Sequence, residues 1–226
     1  MSKVIKIFLL LFIVLLIFNK KLITYYYTYK LSKWVERPII FNEFNINYPN
    51  SIEVIGIKIK NSNKFYNKNI FESDKIVLNL NLKSLLFSDL IIINKLVIEN
   101  PRFFLDIIQK NKKSLKNDET LLTYEDNIGL AKKINENTPD KIWPKKKKDI
   151  NFLILETSIT GGRVFIKTSI IVKPAEIKLS DMSFKKTGNE KNYQHYKEVL
   201  KFILFDIMAR TNNFEMKKIL KKIYNL

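Results

Sequence analysis

Ten consecutive apolar residues, Leu9, Leu10, Leu11, Phe12, Ile13, Val14, Leu15, Leu16, Ile17 and Phe18, constrain this chain more than any other feature. They lie within a longer stretch, Val4 to Tyr29, broken by Lys6, Asn19, Lys20, Lys21 and a few threonines. A basic start followed by an apolar run has the form of a secretory signal. The residues that follow, Asn19 to Thr24 and then three tyrosines, offer no small-x-small cleavage site. The segment is therefore expected to remain as a single-pass anchor. Val4 to Phe18 supplies 15 positions. That is about 22 Å of helix, against roughly 20 apolar residues for a full span. Lys3, Lys6, Lys20 and Lys21 make up the difference by snorkelling. Tyr25, Tyr26, Tyr27 and Tyr29 read as an interfacial aromatic belt. Lysines flank both sides, so charge does not orient the span. A signal-like N-terminal segment places a short tail inside and exports the bulk of the chain.

The net charge of +18 raises the question of nucleic acid. Of the 40 basic residues only Arg37, Arg102, Arg163 and Arg210 are arginine, the usual reader of bases and phosphates. Alanine and glycine are scarce beside Ile, Asn and Lys, the signature of an AT-rich coding sequence that inflates lysine throughout. The lysines are scattered, apart from Lys145 to Lys148 in a polar linker, which reads as a solvated segment or one touching anionic lipid. No nucleic-acid partner is expected. The absence of cysteine neither supports nor contradicts export.

Beyond the anchor the chain reads mostly as strand. Ile52 and Val54 alternate, then Ile55, Ile57 and Ile59 alternate one residue out of phase, as a β-bulge at Ile55-Gly56 would write. Ile76, Leu78, Leu80 and Leu82 give the clearest strand with one buried face. Ile91 to Ile98 is nearly all apolar, and Asn100-Pro101 turns it into Phe103, Leu105 and Ile107. A polar stretch from Gln109 to Asp149 follows, with a helix expected over Thr120 to Ile134. Stretches this long are usually functional or mobile. Strands resume at Ile150 to Ile159, and Gly161-Gly162 is a hairpin signal. The return strand carries Val164, Ile166, Ile170 and Val172, and a last short strand carries Ile177, Leu179, Met182 and Phe184. The period then changes to that of a helix over Asn192 to Ala209, followed by a basic amphipathic helix bearing Phe214, Ile219, Leu220 and Ile223. The organisation is an anchor over residues 1–30, a β-rich domain over 31–188 with a polar insert at 109–149, and helices over 189–226. The fold class is mainly β, with a transmembrane helix at the N-terminus, helices at the C-terminus and about eight strands between.

The run Glu53-Val-Ile-Gly-Ile-Lys-Ile-Lys-Asn61, then Asp74 to Leu86, then Ile92 to Pro101 followed by Arg-Phe-Phe-Leu, resembles the opening module of the AsmA-like envelope proteins, relatives of TamB. Ile159-Thr-Gly-Gly-Arg-Val-Phe-Ile166 resembles their recurring strand, glycine turn, strand unit. The resemblance covers roughly residues 1 to 188 and is one of pattern. It implies a bent antiparallel sheet forming an open β-groove, anchored in the bacterial inner membrane and facing the periplasm. It also implies kinship with bridge-like lipid-transfer proteins, a role in envelope maintenance, membrane lipid as partner, and no catalytic residues. Eight strands about 4.8 Å apart stack to roughly 35–40 Å. The long members cross an entire periplasm, so this chain would act as a short module, an oligomer or a partner of other envelope proteins.

The alternation nominates Ile76, Leu78, Leu80, Leu82, Leu96, Ile98, Val164 and Ile166 as lipid-facing. Acyl chains would lie on that face while headgroups stay wet. An ordinary core capped by the C-terminal helices buries the same residues, so alternation leaves both readings open. The alternative function is a non-enzymatic bitopic scaffold acting through a sheet edge or the C-terminal helices. Enzyme chemistry has little to stand on. His195 is the only histidine and cysteine is absent, which removes Cys/His zinc sites and His-based triads. Ser158 and Ser169 have no base beside them in sequence, no glycine-rich phosphate loop exists, and Asp74, Asp106, Glu156 and Asp181 are scattered. No cofactor or metal is expected.

Overall fold

The computed structural model describes residues 21–33, 35–47, 49–113, 120–127, 151–169, 174–189 and 192–224. The expected anchor residues Leu9 to Phe18, the Lys145 to Lys148 run, Ile170, Val172 and the stretch from Ile128 to Ile134 lie outside the described residues. Helix α1 covers residues 21–33. Four strands follow: β1 (Ile39–Ile40), β2 (Glu43–Asn47), β3 (Ser51–Lys60) and β4 (Asn69–Leu80). A six-residue helix, α2 (Leu82–Phe87), leads into β5 (Leu90–Glu99), β6 (Arg102–Lys113) and β7 (Thr120–Asp126). Then come β8 (Asn151–Thr160), β9 (Arg163–Thr168), β10 (Ala175–Lys178), β11 (Met182–Gly188) and β12 (Gln194–His195). Helices α3 (Tyr196–Arg210) and α4 (Phe214–Tyr224) close the chain. Among the described residues no helix is long and apolar enough to cross a membrane.

Twelve described strands form one mixed sheet, not an antiparallel sheet of eight. The order is β10-β9-β6-β4-β5-β8-β11-β12, with β3 on the other side of β4, β1 and β2 on β3, and β7 on β6. Strand β4 is long enough to carry β5 along its C-terminal half and β6 at its N-terminal end. Strands β8 and β9 then run parallel to β5 and β6 respectively. Gly161-Gly162 is therefore a bend between two successive strands, not the turn of a hairpin. Parallel neighbours need a crossover of a dozen residues or more. The chain makes it between Asn127, beside Asp106, and Asn151, beside Leu90, which is why a long polar stretch interrupts the strand pattern. Part of that stretch is strand: Thr120–Asp126 pairs with β6, where a helix was expected.

The bends at Asn100-Pro101 and Gly161-Gly162 lie at one level of the sheet. Asn100 (φ 49°), Gly161 (φ 66°) and Gly56 (φ 64°) adopt the left-handed region that strand residues avoid. On β8 the buried positions include Leu153, Thr157 and Ile159, whereas on β9 they are Val164, Ile166 and Thr168. The alternation thus changes phase across the bend. The slip at Ile55-Gly56 belongs to the same line: β3 keeps its register with β4 there, from Ile55↔Lys75 to Ile57↔Ser73. No residue is inserted, so it is not a β-bulge. Polar groups bridge the bend. Gly161 N donates to Asp181 Oδ1 (2.9 Å), Asn100 Nδ2 to Asp74 Oδ2 (3.1 Å), and Ser73 Oγ to the Glu99 carbonyl (2.7 Å).

Two apolar clusters cover the two ends of the inner face. The larger joins Leu105, Ile107, Ile159, Val164, Ile166 and Ile177 to residues of α3 and α4, among them Leu204, Ile207, Met216, Leu220 and Tyr224. The smaller holds Ile39, Phe41, Phe44 and Val54, with Ile23, Leu31 and Val35 packed against it. Helix α3 begins at Tyr196, four residues later than Asn192, because His195 is its N-cap and Nδ1 accepts from Lys197 N (3.2 Å). Near its other end, Asp206 accepts from Ser180 N (3.0 Å), Ser180 Oγ (2.9 Å) and Arg210 Nε (3.0 Å), latching the helix to the β10–β11 connection.

Candidate functional site

Direct pairing places side chains of neighbouring strands on one face, so the registers define two rows across the sheet. One row is Val54, Ile76, Ile98, Ile159 and Met182. The other is Ile52, Leu78, Leu96, Thr157 and Phe184. Val54, Ile159, Met182, Thr157 and Phe184 are buried, whereas Ile52, Ile76, Leu78, Leu96 and Ile98 are only partly so. Neighbouring strands shield the flanks of a sheet side chain, and a covering layer is needed to seal it. Val54 has such a layer from α1's side and Ile159 from the C-terminal helices. Between them Ile52 and Ile76 pack against the smaller cluster and Ile98 against the larger, while Leu78 and Leu96 belong to neither.

The result is a shallow trough. Its floor is Ile76, Leu78, Leu96 and Ile98, four of the eight residues nominated from sequence. Ile76 packs against the smaller cluster and its partner Ile98 against the larger, so the two covers meet the floor at the end nearest the bend. Strand β5 is partly exposed along its entire length. A near-continuous apolar strand with a parallel neighbour ordinarily has both faces covered. Leu80 lies at the mouth, where a register irregularity pairs it with Ile93.

The other nominated positions lie elsewhere. Val164 and Ile166 are 1 % and 0 % exposed, sealed under α3 and α4. A cleft of about 100 Å³ beside Val164, lined also by Phe103, Leu200 and Ile207, falls well short of a ligand pocket. At these two residues the face is a closed core. Leu82 is exposed on α2 and takes no part in the floor. Ile52 was missed: it completes the Leu78 row, but only the β3–β4 register brings it there.

The outer face carries ion pairs instead. Lys75 Nζ lies 2.6 Å from Glu53 Oε1, Lys95 Nζ 3.3 Å from Glu156 Oε1, and Arg163 Nη1 3.1 Å from Glu176 Oε1. Hydrogen bonding to Lys75 outweighs desolvation and holds the Glu53 carboxyl below its ordinary pKa. Such exposed pairs stabilise little individually, but they mark this side as the wet one.

The carboxylates considered for catalysis have other partners. Asp74 pairs with Arg102 (3.1 Å) and Glu156 with Lys95. Asp106, fully buried, accepts from Asn61 Nδ2 (3.1 Å), Asn67 N (2.7 Å) and Asn67 Nδ2 (2.5 Å). Ser169 Oγ accepts from Gln109 N (3.1 Å). Among the described residues no three His, Cys, Asp or Glu side chains converge to hold a metal ion. What the arrangement can do chemically is shield hydrocarbon on one side while water wets the other.

Helix α1 lies along β1 and β2. Ser32 Oγ accepts from Ile39 N (2.8 Å), Tyr27 stacks on Phe44 with ring centroids 4.5 Å apart, and Lys21 lines a cleft with Asn45. Descending residue numbers on α1 thus follow ascending ones on β1 and β2. Residue 21 lies toward the Asn47–Ser51 end of the sheet, the end where β4 passes into α2. Of the expected aromatic belt, Tyr25, Tyr26, Tyr27 and Tyr29 are all exposed, and Tyr27 also lays one ring face on Phe44.

Comparison with protein-family models, with curated proteins and with solved structures finds no match to this chain.

Proposed function

We propose that this chain is a membrane-anchored protein of the bacterial envelope that shelters phospholipid acyl chains on the partly exposed centre of its inner sheet face. The observation that carries this reading is the trough over Ile76, Leu78, Leu96 and Ile98, flanked by two helical covers and opening at the end where the chain arrives from its apolar N-terminal run. Acyl chains would lie along the floor at Leu78 and Leu96, with headgroups held in water at the mouth. The same features fit the AsmA-like resemblance, with the run at Leu9 to Phe18 in the inner membrane and the sheet in the periplasm. No bond is made or broken, so no catalytic residue, metal or cofactor is required.

The test is site-directed photocrosslinking of the full chain in bacterial membranes. Benzoyl-phenylalanine replaces Leu78, Leu96 or, on the outer face, Lys95, and the irradiated protein is purified and weighed. A phospholipid mass added at Leu78 and Leu96 but not at Lys95 is the expected result. Products confined to the chain itself at both inner positions would remove the lipid reading. A scaffold is the second reading, favoured by Phe202 and Phe205, which α3 leaves exposed. Crosslinks from those two positions to another protein would bring it forward.

A further inference from the structure

Helix α2 reverses the patterning of a water-facing helix. Of its two polar residues, Lys83 is exposed and Ser84 is inside: Ser84 is buried, Ser84 Oγ donates to the Asn81 carbonyl (2.8 Å) and accepts from Ile92 N (2.9 Å), and Ser84 N donates to Asn81 Oδ1 (3.1 Å). These bonds fix the helix to the start of β5 by its hydrophilic side. Its apolar side chains point away. Leu86 is 69 % and Phe87 82 % exposed, and Leu82 and Leu85 are exposed with them. Contiguous exposed apolar groups on a rigid mount mark a contact surface.

We infer that α2 is a second membrane contact, a finger whose Leu85, Leu86 and Phe87 enter the same bilayer that receives the N-terminal run. The inference rests on the anchoring proposed above and adds the orientation of the sheet. Three observations select a bilayer over other occupants. Lys21, the first described residue of α1, lies toward the same end of the sheet as α2, so a bilayer that receives the preceding part of the chain would lie against α2. Leu22, Tyr25 and Tyr26 are exposed near that end of α1, in the mixture of aliphatic and aromatic groups that suits a membrane interface. Lys21 and Lys83 are exposed beside the two apolar groups, placed to reach anionic headgroups. Two contacts on one end stand the sheet upright, with the mouth of the trough against the lipid.

The chain has no cysteine, so single cysteines can be spin-labelled without a background. Leu86→Cys, Phe87→Cys and Asn63→Cys, all at exposed positions, are reconstituted as full-length protein in vesicles of phosphatidylcholine and phosphatidylglycerol. Flotation reads anchoring, and collision with oxygen or a soluble nickel chelate reads depth. The expected result is co-flotation with loss of nickel broadening and retention of oxygen broadening at residues 86 and 87, roughly 5–10 Å into the interface. Nickel broadening at residue 63 is retained. Co-flotation with nickel access at Phe87 equal to that at Asn63 would overturn the finger and leave the anchor standing. Protection from both probes would overturn it in favour of a protein contact at α2. Failure to float would remove the anchoring, and the finger with it.

Discussion

Gly161 holds φ at 66°, and a Cβ built there would lie 2.2 Å from Asn100 Oδ1. The exposed Asn100 side chain can swing aside, but the positive φ strains any L side chain at this position whatever the space. Gly161→Ala is expected to lose about 1–3 kcal/mol of stability in urea unfolding. Gly162→Ala, with no positive φ and only the Leu179 side chain in the way, should lose less. The Asp206 latch gives a pH-dependent counterpart. Burial pushes this carboxyl up, but hydrogen bonds from Ser180 and Arg210 more than offset it and hold it below the ordinary aspartate range. A depressed acid contributes stability that is complete well above the ordinary value and is lost as pH falls through the folded one. Asp206→Asn should therefore melt below the natural protein at neutral pH, by about 1–3 kcal/mol. The gap should narrow in acid and close as pH falls through the lowered folded value. Melting both proteins across the acid range reads this directly.

Helices α3 and α4 are the covering layer of the larger cluster, not an appendage, since Met216 and Leu220 are fully buried against the sheet. Leu220→Ala is expected to cost about 2–5 kcal/mol. Deleting residues 192–226 should abolish cooperative unfolding, because it uncovers Val164, Ile166, Ile177 and Phe184 together; a cooperative melt of that fragment would show the helices to be dispensable. These helices were legible from their 3.6-residue period, as was the strand at Ile76 to Leu80 from its alternation. Pairing partners were not. Gly161-Gly162 carries the local chemistry of a hairpin, but the strands on either side pair with β5 and β6, far away in sequence. Thr120–Asp126 suits helix or strand, and β6 decided between them. The short α2 was hidden because Leu82 continues the β4 alternation. What stops the strand is Asn81, whose side chain caps the helix.

At the scale of the molecule the inner face is closed core at Val164 and Ile166 and partly exposed at Leu78 and Leu96. Sequence alternation treats Leu96 and Ile166 alike, as apolar residues on strands of the same sheet. The covering helices make them different, and a gain in volume exposes that difference. A tryptophan at Ile166 has nowhere to go, because the side chain is sealed between the sheet and the C-terminal helices. Such overpacking costs about 1–3 kcal/mol or more. A tryptophan at Leu96 can extend over the open floor, and Leu96→Trp should leave stability within about 1 kcal/mol of the natural protein. The same ring would occupy the space assigned to an acyl chain, so the lipid adduct from a crosslinker at residue 78 should fall sharply. The two readouts separate the alternatives. Equal, large losses of stability at both positions would mean that the centre is as closed as the ends, and lipid would have no seat there. An unperturbed fold with an undiminished adduct would place the lipid on some surface other than this floor.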